Sequence, residues 1–253
     1  MNQEIILETR DLSKEFKGFT AVDRVNLKVR RGSIHALIGP NGAGKTTVFN
    51  LLTKFLPVTS GHIFYNGNDI TADKPVQIAR RGMVRSFQIS AVFPHLSVLE
   101  NVRVALQRNL GTSFHFWKPE STLHALNDRA MELLESVDLA SFADTETVLL
   151  PYGRKRALEI ATTLALDPEL MLLDEPTQGM GHEDVSRVVE LIRKVAANRT
   201  VLMVEHNMSV IANLSDMITV LARGSVLAEG PYETVSKDPK VLEAYVGTVE
   251  EAA

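Results

Sequence analysis

The run Gly39-Pro-Asn-Gly-Ala-Gly-Lys45-Thr46 constrains this chain more than any other feature. It fits the spacing G-x-x-x-x-G-K-[ST] and lies between an apolar run, Ile34-His-Ala-Leu-Ile38, and a helical stretch from about Gly44 to Phe55 stopped by Pro57. A strand passing through a glycine loop into a helix start is the context in which that spacing has a physical purpose. Glycines let backbone N–H groups turn inward around phosphate oxygens, and the helix N-terminus adds positive partial charge. Lys45 is placed to reach β- and γ-phosphates, and the Thr46 hydroxyl to ligate Mg²⁺. The four fixed positions match by chance in about one chain in a hundred, and the strand–loop–helix context lowers that further.

The remainder of the chain agrees with an α/β core. Short β-like runs crowd the first ninety residues: Ile5 to Glu8, Val22 to Val29, Ile34 to Ile38, His62 to Tyr65 and Met83 to Phe87. From Ser97 to about Leu166 apolar residues recur at helical spacing, which predicts a helical lobe inserted into the core. After Leu170 the alternation returns. Leu170 to Leu173, Thr200 to Val204 and Met217 to Leu221 are apolar without alternation, as strands covered on both faces are. Val185 to Ala196 reads as a crossover helix between two of them. The 253 residues suit one α/β domain, with a core at about 1–87 and 167–253 and a helical lobe at about 88–166.

Charge and composition remove several classes of function. Lys and Arg number 27 against 31 Asp and Glu, a net charge of −4, which argues against a nucleic-acid-gripping protein. Cysteine is absent, so disulfides, thiolate catalysis and Cys-ligated zinc are excluded. The N-terminus carries neither a basic segment nor a long apolar run, and no secretory signal is expected. No stretch approaches 18 uncharged apolar residues, so any membrane role is expected to run through a partner on the cytosolic side.

Further polar residues fall where strands end. Leu170-Met-Leu-Leu-Asp174-Glu175-Pro176 brings two acids to the C-terminal end of a buried strand, where ligands sit in open α/β sheets. Asp174 is a candidate for Mg²⁺, directly or through water, and Glu175 for polarising an attacking water. His206 follows the strand Val201-Leu-Met-Val204 and reads either as a contact to γ-phosphate and water or as a histidine closing a strand end. Gln88 ends the run Val84-Arg-Ser-Phe-Gln88, in position to ligate Mg²⁺ and sense the γ-phosphate. Two basic clusters, Arg80-Arg81 with Arg85 and Arg154-Lys155-Arg156, read as solvated surface, the second alternatively as an anion contact. Phe114-His-Phe-Trp117 reads as local packing or a docking element.

In this order and spacing, the phosphate loop, Gln88, Tyr152-Gly153, Asp174-Glu175 and His206 resemble an ABC transporter ATPase subunit over nearly the whole chain. Asn-Gly-Asn-Asp-Ile-Thr at 66–71, the insert near 107–125, Val204-Glu-His-Asn-Met208 and the tail Val241-Leu-Glu-Ala-Tyr-Val-Gly247 are similar to the subfamily that energises branched-chain amino-acid importers. The resemblance implies a P-loop NTPase, RecA-like core with an antiparallel β subdomain and an inserted helical subdomain. It implies an ATPase that binds ATP and Mg²⁺ at the cytoplasmic face of the membrane, peripherally. Phe16 would stack on adenine. Gly39, Pro40, Asn41, Gly42, Ala43, Gly44, Lys45, Thr46 and Thr47 would hold the phosphates. Thr46, Gln88 and Asp174 would serve Mg²⁺, with Glu175 as base and His206 on the γ-phosphate. Integral-membrane permease subunits and a second ATPase subunit are the implied partners, with no nucleic acid.

One segment departs from the family. Its signature Leu-Ser-Gly-Gly-Gln, or Leu-Ser-Tyr-Gly-Gln in the subfamily, here reads Leu150-Pro151-Tyr152-Gly153-Arg154. Pro151 is expected in the first helical turn, where a missing donor costs little. The serine hydroxyl that would touch a partner's γ-phosphate is gone, and Arg154 replaces glutamine. The expected second subunit is therefore a related but different ATPase, the alternative being a second copy of this chain. The other readings are an export or lipid-extraction ATPase, and a soluble ABC ATPase acting on ribosomes or DNA.

Overall fold

Ile34–Ile38 and Thr200–Val204 are buried at every position, and they lie side by side in parallel. The structure, a computed structural model, describes residues 4–86, 92–110 and 120–250. In chain order the elements are β1 (Ile5–Phe16), β2 (Phe19–Val25), β3 (Lys28–Arg30), β4 (Ile34–Ile38), α1 (Lys45–Leu52), β5 (Ser60–Tyr65), β6 (Asn68–Asp69), α2 (Pro75–Arg80) and β7 (Met83–Ser86). A helical stretch follows, with α3 (Val98–Leu106), α4 (Asn127–Ser136) and α5 (Tyr152–Leu164). Then come β8 (Leu170–Asp174), α6 (His182–Ala196), β9 (Thr200–Val204), α7 (Met208–Leu214), β10 (Met217–Ala222), β11 (Ser225–Gly230), α8 (Tyr232–Val235) and α9 (Pro239–Glu250).

Among the described residues the principal sheet has the order β11-β10-β4-β9-β8-β7. All neighbours are parallel except the edge pair β10–β11. Successive side chains leave a strand on opposite faces, and the core divides accordingly. Leu37, Leu170, Leu172, Leu202, Val204 and Leu221 pack with α1 and the small antiparallel sheet β2-β1-β5-β6. Ile34, Ala36, Ile38, Met171, Leu173, Val201 and Met203 pack with α3 to α7. A sheet buried on both faces has no polar side to show, which is why its strands lack alternation.

The sequence expectation of a single strand over Val22 to Val29 does not hold. The run divides into β2 and β3, which pair with different parts of β1. Asn26 interrupts it: its amide donates to Asp11 Oδ1 at 3.1 Å and to the Arg24 carbonyl at 3.0 Å, and its Oδ1 accepts the Asp11 N–H at 3.0 Å. A side chain satisfying backbone groups in this way competes with the ladder. Among the described residues no helix is long and apolar enough to cross a membrane.

Candidate functional site

The sheet order explains why motifs far apart in sequence meet. β9 lies between β4 and β8, so the C-terminal ends of three adjacent parallel strands carry the Gly39–Thr46 loop, His206 and Asp174-Glu175. Crevices at such ends are where ligands enter α/β sheets.

The loop is built for close backbone approach. Gly39 has φ 148°, and a Cβ there would stand 2.1 Å from the Leu221 carbonyl oxygen of β10. Gly44, the N-cap of α1, has φ 100°, and its Cβ would meet the Ala21 carbonyl oxygen of β2 at 2.6 Å. Lys45 is buried, and its Nζ donates to the carbonyls of Gly39 at 2.6 Å and Pro40 at 2.9 Å. Burial lowers its pKa, against the opposing pull of Glu175 and Asp174. An amine folded onto its own loop, at the positive end of a helix, suits an incoming polyphosphate. Thr46 is exposed and Thr47 half-buried in the first turn of α1. A cleft of about 520 Å³ borders Pro40, Asn41, Gly42 and Ala43 on one side and Lys240, Glu243 and Ala244 of α9 on the other.

Asp174 is not free at its strand end. Arg85 of β7 donates Nη2 to Asp174 Oδ2 and Nη1 to Asn50 Oδ1 of α1 at 2.7 Å. This corrects the reading of Arg85 as solvated surface: its side chain is largely buried and ties β8 to α1. Glu175 turns out of the strand at φ 45°, and its N–H is held by the Val204 carbonyl at 2.9 Å. Its Oε1 lies 3.9 Å from His206 Nδ1. The structure thus brings Lys45, Asp174, Glu175 and His206 together. No group of three or more His, Cys, Asp or Glu fit to hold a metal exists among the described residues. The oxygens at hand, the Asp174 and Glu175 carboxylates and the exposed Thr46 hydroxyl, are of the hard kind that Mg²⁺ takes one or two at a time while keeping most of its waters.

Phe16 ends β1 opposite Phe19, is 41% exposed and has Lys14 Nζ 5.1 Å from its ring centre. The second strand of its hairpin supplies the Ala21 carbonyl packed on Gly44. Gln88 and Phe114 to Trp117 lie outside the described residues.

The signature segment sits on the helical part of the chain. Leu150 is buried, and Pro151 is the N-cap of α5 rather than a first-turn residue, with φ −57° and ψ 156°. Its side chain offers no cap, and its carbonyl accepts the N–H groups of Arg154 at 3.1 Å and Lys155 at 3.0 Å. The Tyr152 hydroxyl donates to the Gln178 carbonyl at 3.1 Å. A Cβ on Gly153 would stand 2.8 Å from the Asp184 carboxylate of α6. The basic cluster here is not a solvated patch. Arg154 stacks 3.7 Å from the Phe142 ring centre, and Lys155 Nζ donates to the Val148 carbonyl at 2.9 Å. Arg156 is buried between Glu159, at 2.5 Å, and the Asp174 carbonyl, at 3.0 Å.

Sequence reasoning missed three residues here. Arg156 anchors the signature helix to the Asp174 strand end. Tyr245 of α9 accepts the Gly39 N–H on its hydroxyl while burial raises its pKa. Glu205, fully buried, accepts hydrogen bonds from both the loop after Glu175 and the His206 loop. Each role depends on which distant backbone group the fold brings alongside, which spacing does not report.

The ABC transporter family pattern matches residues 22–178, and a pattern described as branched-chain amino acid ATP-binding cassette transporter matches residues 225–251. The high-affinity branched-chain amino acid transport ATP-binding protein BraF of Pseudomonas aeruginosa is 40% identical over 249 residues, covering 96% of this chain and 98% of that protein. The corresponding LivG of Escherichia coli strain K12 is 38% identical over 249 residues, covering 96% and 98%. Among solved structures, an ATP-binding cassette of an ABC transporter in its ADP conformation superposes with TM-score 0.85 at 29% identity, covering 96% of this chain and 99% of that one. A nucleotide-free ATP-binding cassette superposes with TM-score 0.83 at 28% identity. A P-loop at a three-strand junction, a family pattern over more than half of the chain and relatives matched almost end to end place this chain in the ABC transporter ATP-binding family.

Proposed function

We propose that the chain hydrolyses Mg-ATP to energise uptake of branched-chain amino acids through a membrane permease, working peripherally at the cytoplasmic face. The observation that carries this reading is the convergence of Lys45, Asp174, Glu175 and His206 at three adjacent strand ends. The named relatives at 38–40% identity and the 225–251 tail pattern support the substrate class. The whole chain would act as one nucleotide-binding domain, its core at 1–87 and 167–253 and its helical lobe at 88–166.

In this reading Phe16 stacks on the base, and residues 39 to 47 hold the phosphates. Lys45 leaves its two carbonyls for the β- and γ-phosphates, exchanging one set of oxygen partners for a more strongly charged one. Glu175 takes the proton of an attacking water. His206, 57% exposed and beside Glu175, orients the γ-phosphate. Thr46, Gln88 and Asp174 would hold Mg²⁺, which would neutralise phosphate charge.

The signature residues would face the nucleotide of a second, related ATPase subunit. Leu149, 71% exposed, with Val148 and Tyr152, forms an apolar edge suited to such a seam. The test is transport. Co-expressed with its permease, the chain should restore ATP-dependent leucine uptake to membrane vesicles, and Lys45→Met should abolish it. Vesicles that hydrolyse ATP but take up no branched-chain amino acid would reject the substrate class.

A further inference from the structure

Glu205 closes β9 with no exposed surface, although it stands beside one of the more open residues of the site, His206. A carboxylate is rarely placed where water cannot reach it unless the protein supplies its partners. Here four donors supply them. Oε1 accepts the Thr177 hydroxyl and the Thr177 N–H at 3.2 Å. Oε2 accepts the N–H groups of His206 at 2.7 Å and Asn207 at 3.0 Å. An ionised carboxylate has about four lone-pair sites, so the set is filled.

The two oxygens divide between two loops. Thr177 follows Glu175 by two residues, and its carbonyl accepts the Met180 N–H at 3.3 Å, so Oε1 holds the turn that presents Glu175. Oε2 holds the first residues after β9, where Asn207 also caps α7 through Ser209 and Val210. His206 Nδ1 lies 3.8 Å from Glu205 Oε2 and 3.9 Å from Glu175 Oε1, so the imidazole sits between two carboxylates. Apart from that approach of His206 to Glu175, no side chain other than Glu205 links the two loops by a hydrogen bond among the described residues.

We propose that Glu205 is a positioning residue: its carboxylate clamps the Glu175 turn to the His206 loop, so that base and histidine meet the γ-phosphate in one fixed geometry. This rests on the reading of Glu175 and His206 given above. Because Glu205 is sealed from solvent and holds both loops mainly by their backbone N–H groups, it acts through them, on turnover and not on nucleotide affinity. A glutamine would keep the volume but turn a donating NH₂ toward N–H groups that need an acceptor. An aspartate would keep the charge but fall short by one methylene of reaching both loops.

The experiment compares Glu205→Gln, Glu205→Asp, His206→Ala, Glu175→Gln and the double variant Glu205→Gln/His206→Ala in the full chain, by steady-state ATPase and thermal unfolding. Glu205→Gln and Glu205→Asp should each lower kcat by about ten- to a hundredfold, the scale of a misplacement near 1 Å, with KM for ATP within about twofold of the parent. Glu205→Asp guards against misfolding of the glutamine variant. The double variant should be no slower than the slower of its two parents by more than about threefold, since both changes spoil the same geometry. A KM that rises in step with the loss of kcat, or losses that multiply in the double variant, would show a general structural role and overturn the clamp. If Glu175→Gln is inactive while both Glu205 variants keep the parent kcat, the clamp alone is overturned; if Glu175→Gln is active, the reading of the base falls and the clamp with it.

Discussion

At the scale of single residues, Glu175 and Lys45 separate chemistry from binding. Glu175 sits in the left-handed region at φ 45°, an uncommon place for any residue with a Cβ and equally so for glutamine. Glu175→Gln therefore removes the proton acceptor of the proposed mechanism without changing what the backbone must bear. ATP affinity should stay at the parent value while phosphate release falls by at least about a hundredfold, the usual worth of a general base. A residual rate above about a tenth of the parent would put the base elsewhere. Lys45 makes the opposite prediction. Its ammonium is buried at a cost that shows as a lowered pKa, and it donates to two carbonyls of its own loop. Lys45→Met should leave the unfolding midpoint in place or raise it, because a desolvated charge is gone. ATP affinity measured by calorimetry should fall by about ten- to a hundredfold or more, the value of a charge-assisted bond to phosphate. The places of both at adjacent strand ends were legible from sequence, because their types are tied to fixed local neighbours. Arg85 was not, since its partners Asp174 and Asn50 come from β8 and α1 and only the fold sets them beside it.

Elements repeat the same contrast. β4, β8 and β9 were readable because burial on both faces leaves an apolar run that no surface strand tolerates. The division of β2 from β3 was not, because it hangs on Asn26 finding Asp11 across the hairpin. β11 and α9 carry mixed burial patterns that look like loop until β10 and the phosphate loop are in place beside them. β4 also hides a titration. His35, with no exposed surface, contacts Thr219 Oγ1 through Nε2 at 2.8 Å, and that hydroxyl donates to Glu229 Oε2 at 2.9 Å. The imidazole is thus the donor at Nε2, and its buried Nδ1 has no partner. A second proton would have to sit on Nδ1 with no acceptor, and burial pushes the His35 pKa down to about 4 from 6.5. The unfolded chain binds that proton more readily, so stability present above pH 6.5 is lost as pH falls toward 4. The loss should reach about 3 kcal/mol. Urea unfolding at pH 7, 5.5 and 4.5 should show it, and His35→Leu should flatten that part of the curve. Parallel pH curves for parent and variant would mean that His35 is not the group protonated.

At the scale of the whole molecule, the question is what this chain needs beside it. It carries the glycine loop, Asp174, Glu175 and His206 at adjacent strand ends, while its α5 N-terminus has no hydroxyl at Pro151. None of the neighbouring cations stands ready to replace that hydroxyl. Arg154 is stacked on Phe142, Lys155 bonds the Val148 carbonyl, and Arg156 is fixed between Glu159 and the Asp174 carbonyl. Two copies of the chain placed head to tail would then make two composite sites, each with a good loop and a poor signature. One copy with a related subunit carrying serine would make one good site. A missing charge-assisted hydrogen bond to phosphate is worth about 1.5–3 kcal/mol, or about ten- to a hundredfold in rate where the transition state feels it. The isolated chain should therefore be a slow ATPase, and Pro151→Ser should raise its kcat by about tenfold or more. The same change also supplies α5 with a side-chain N-cap worth about 1 kcal/mol, so unfolding should be followed alongside to separate helix stability from turnover. Arg154 is best left in place, because Arg154→Gln would remove its stacking on Phe142 together with its charge. A brisk parent rate, linear in protein concentration and unmoved by Pro151→Ser, would mean that the chain works with its own copy and that the segment starting at Pro151 is complete as it stands.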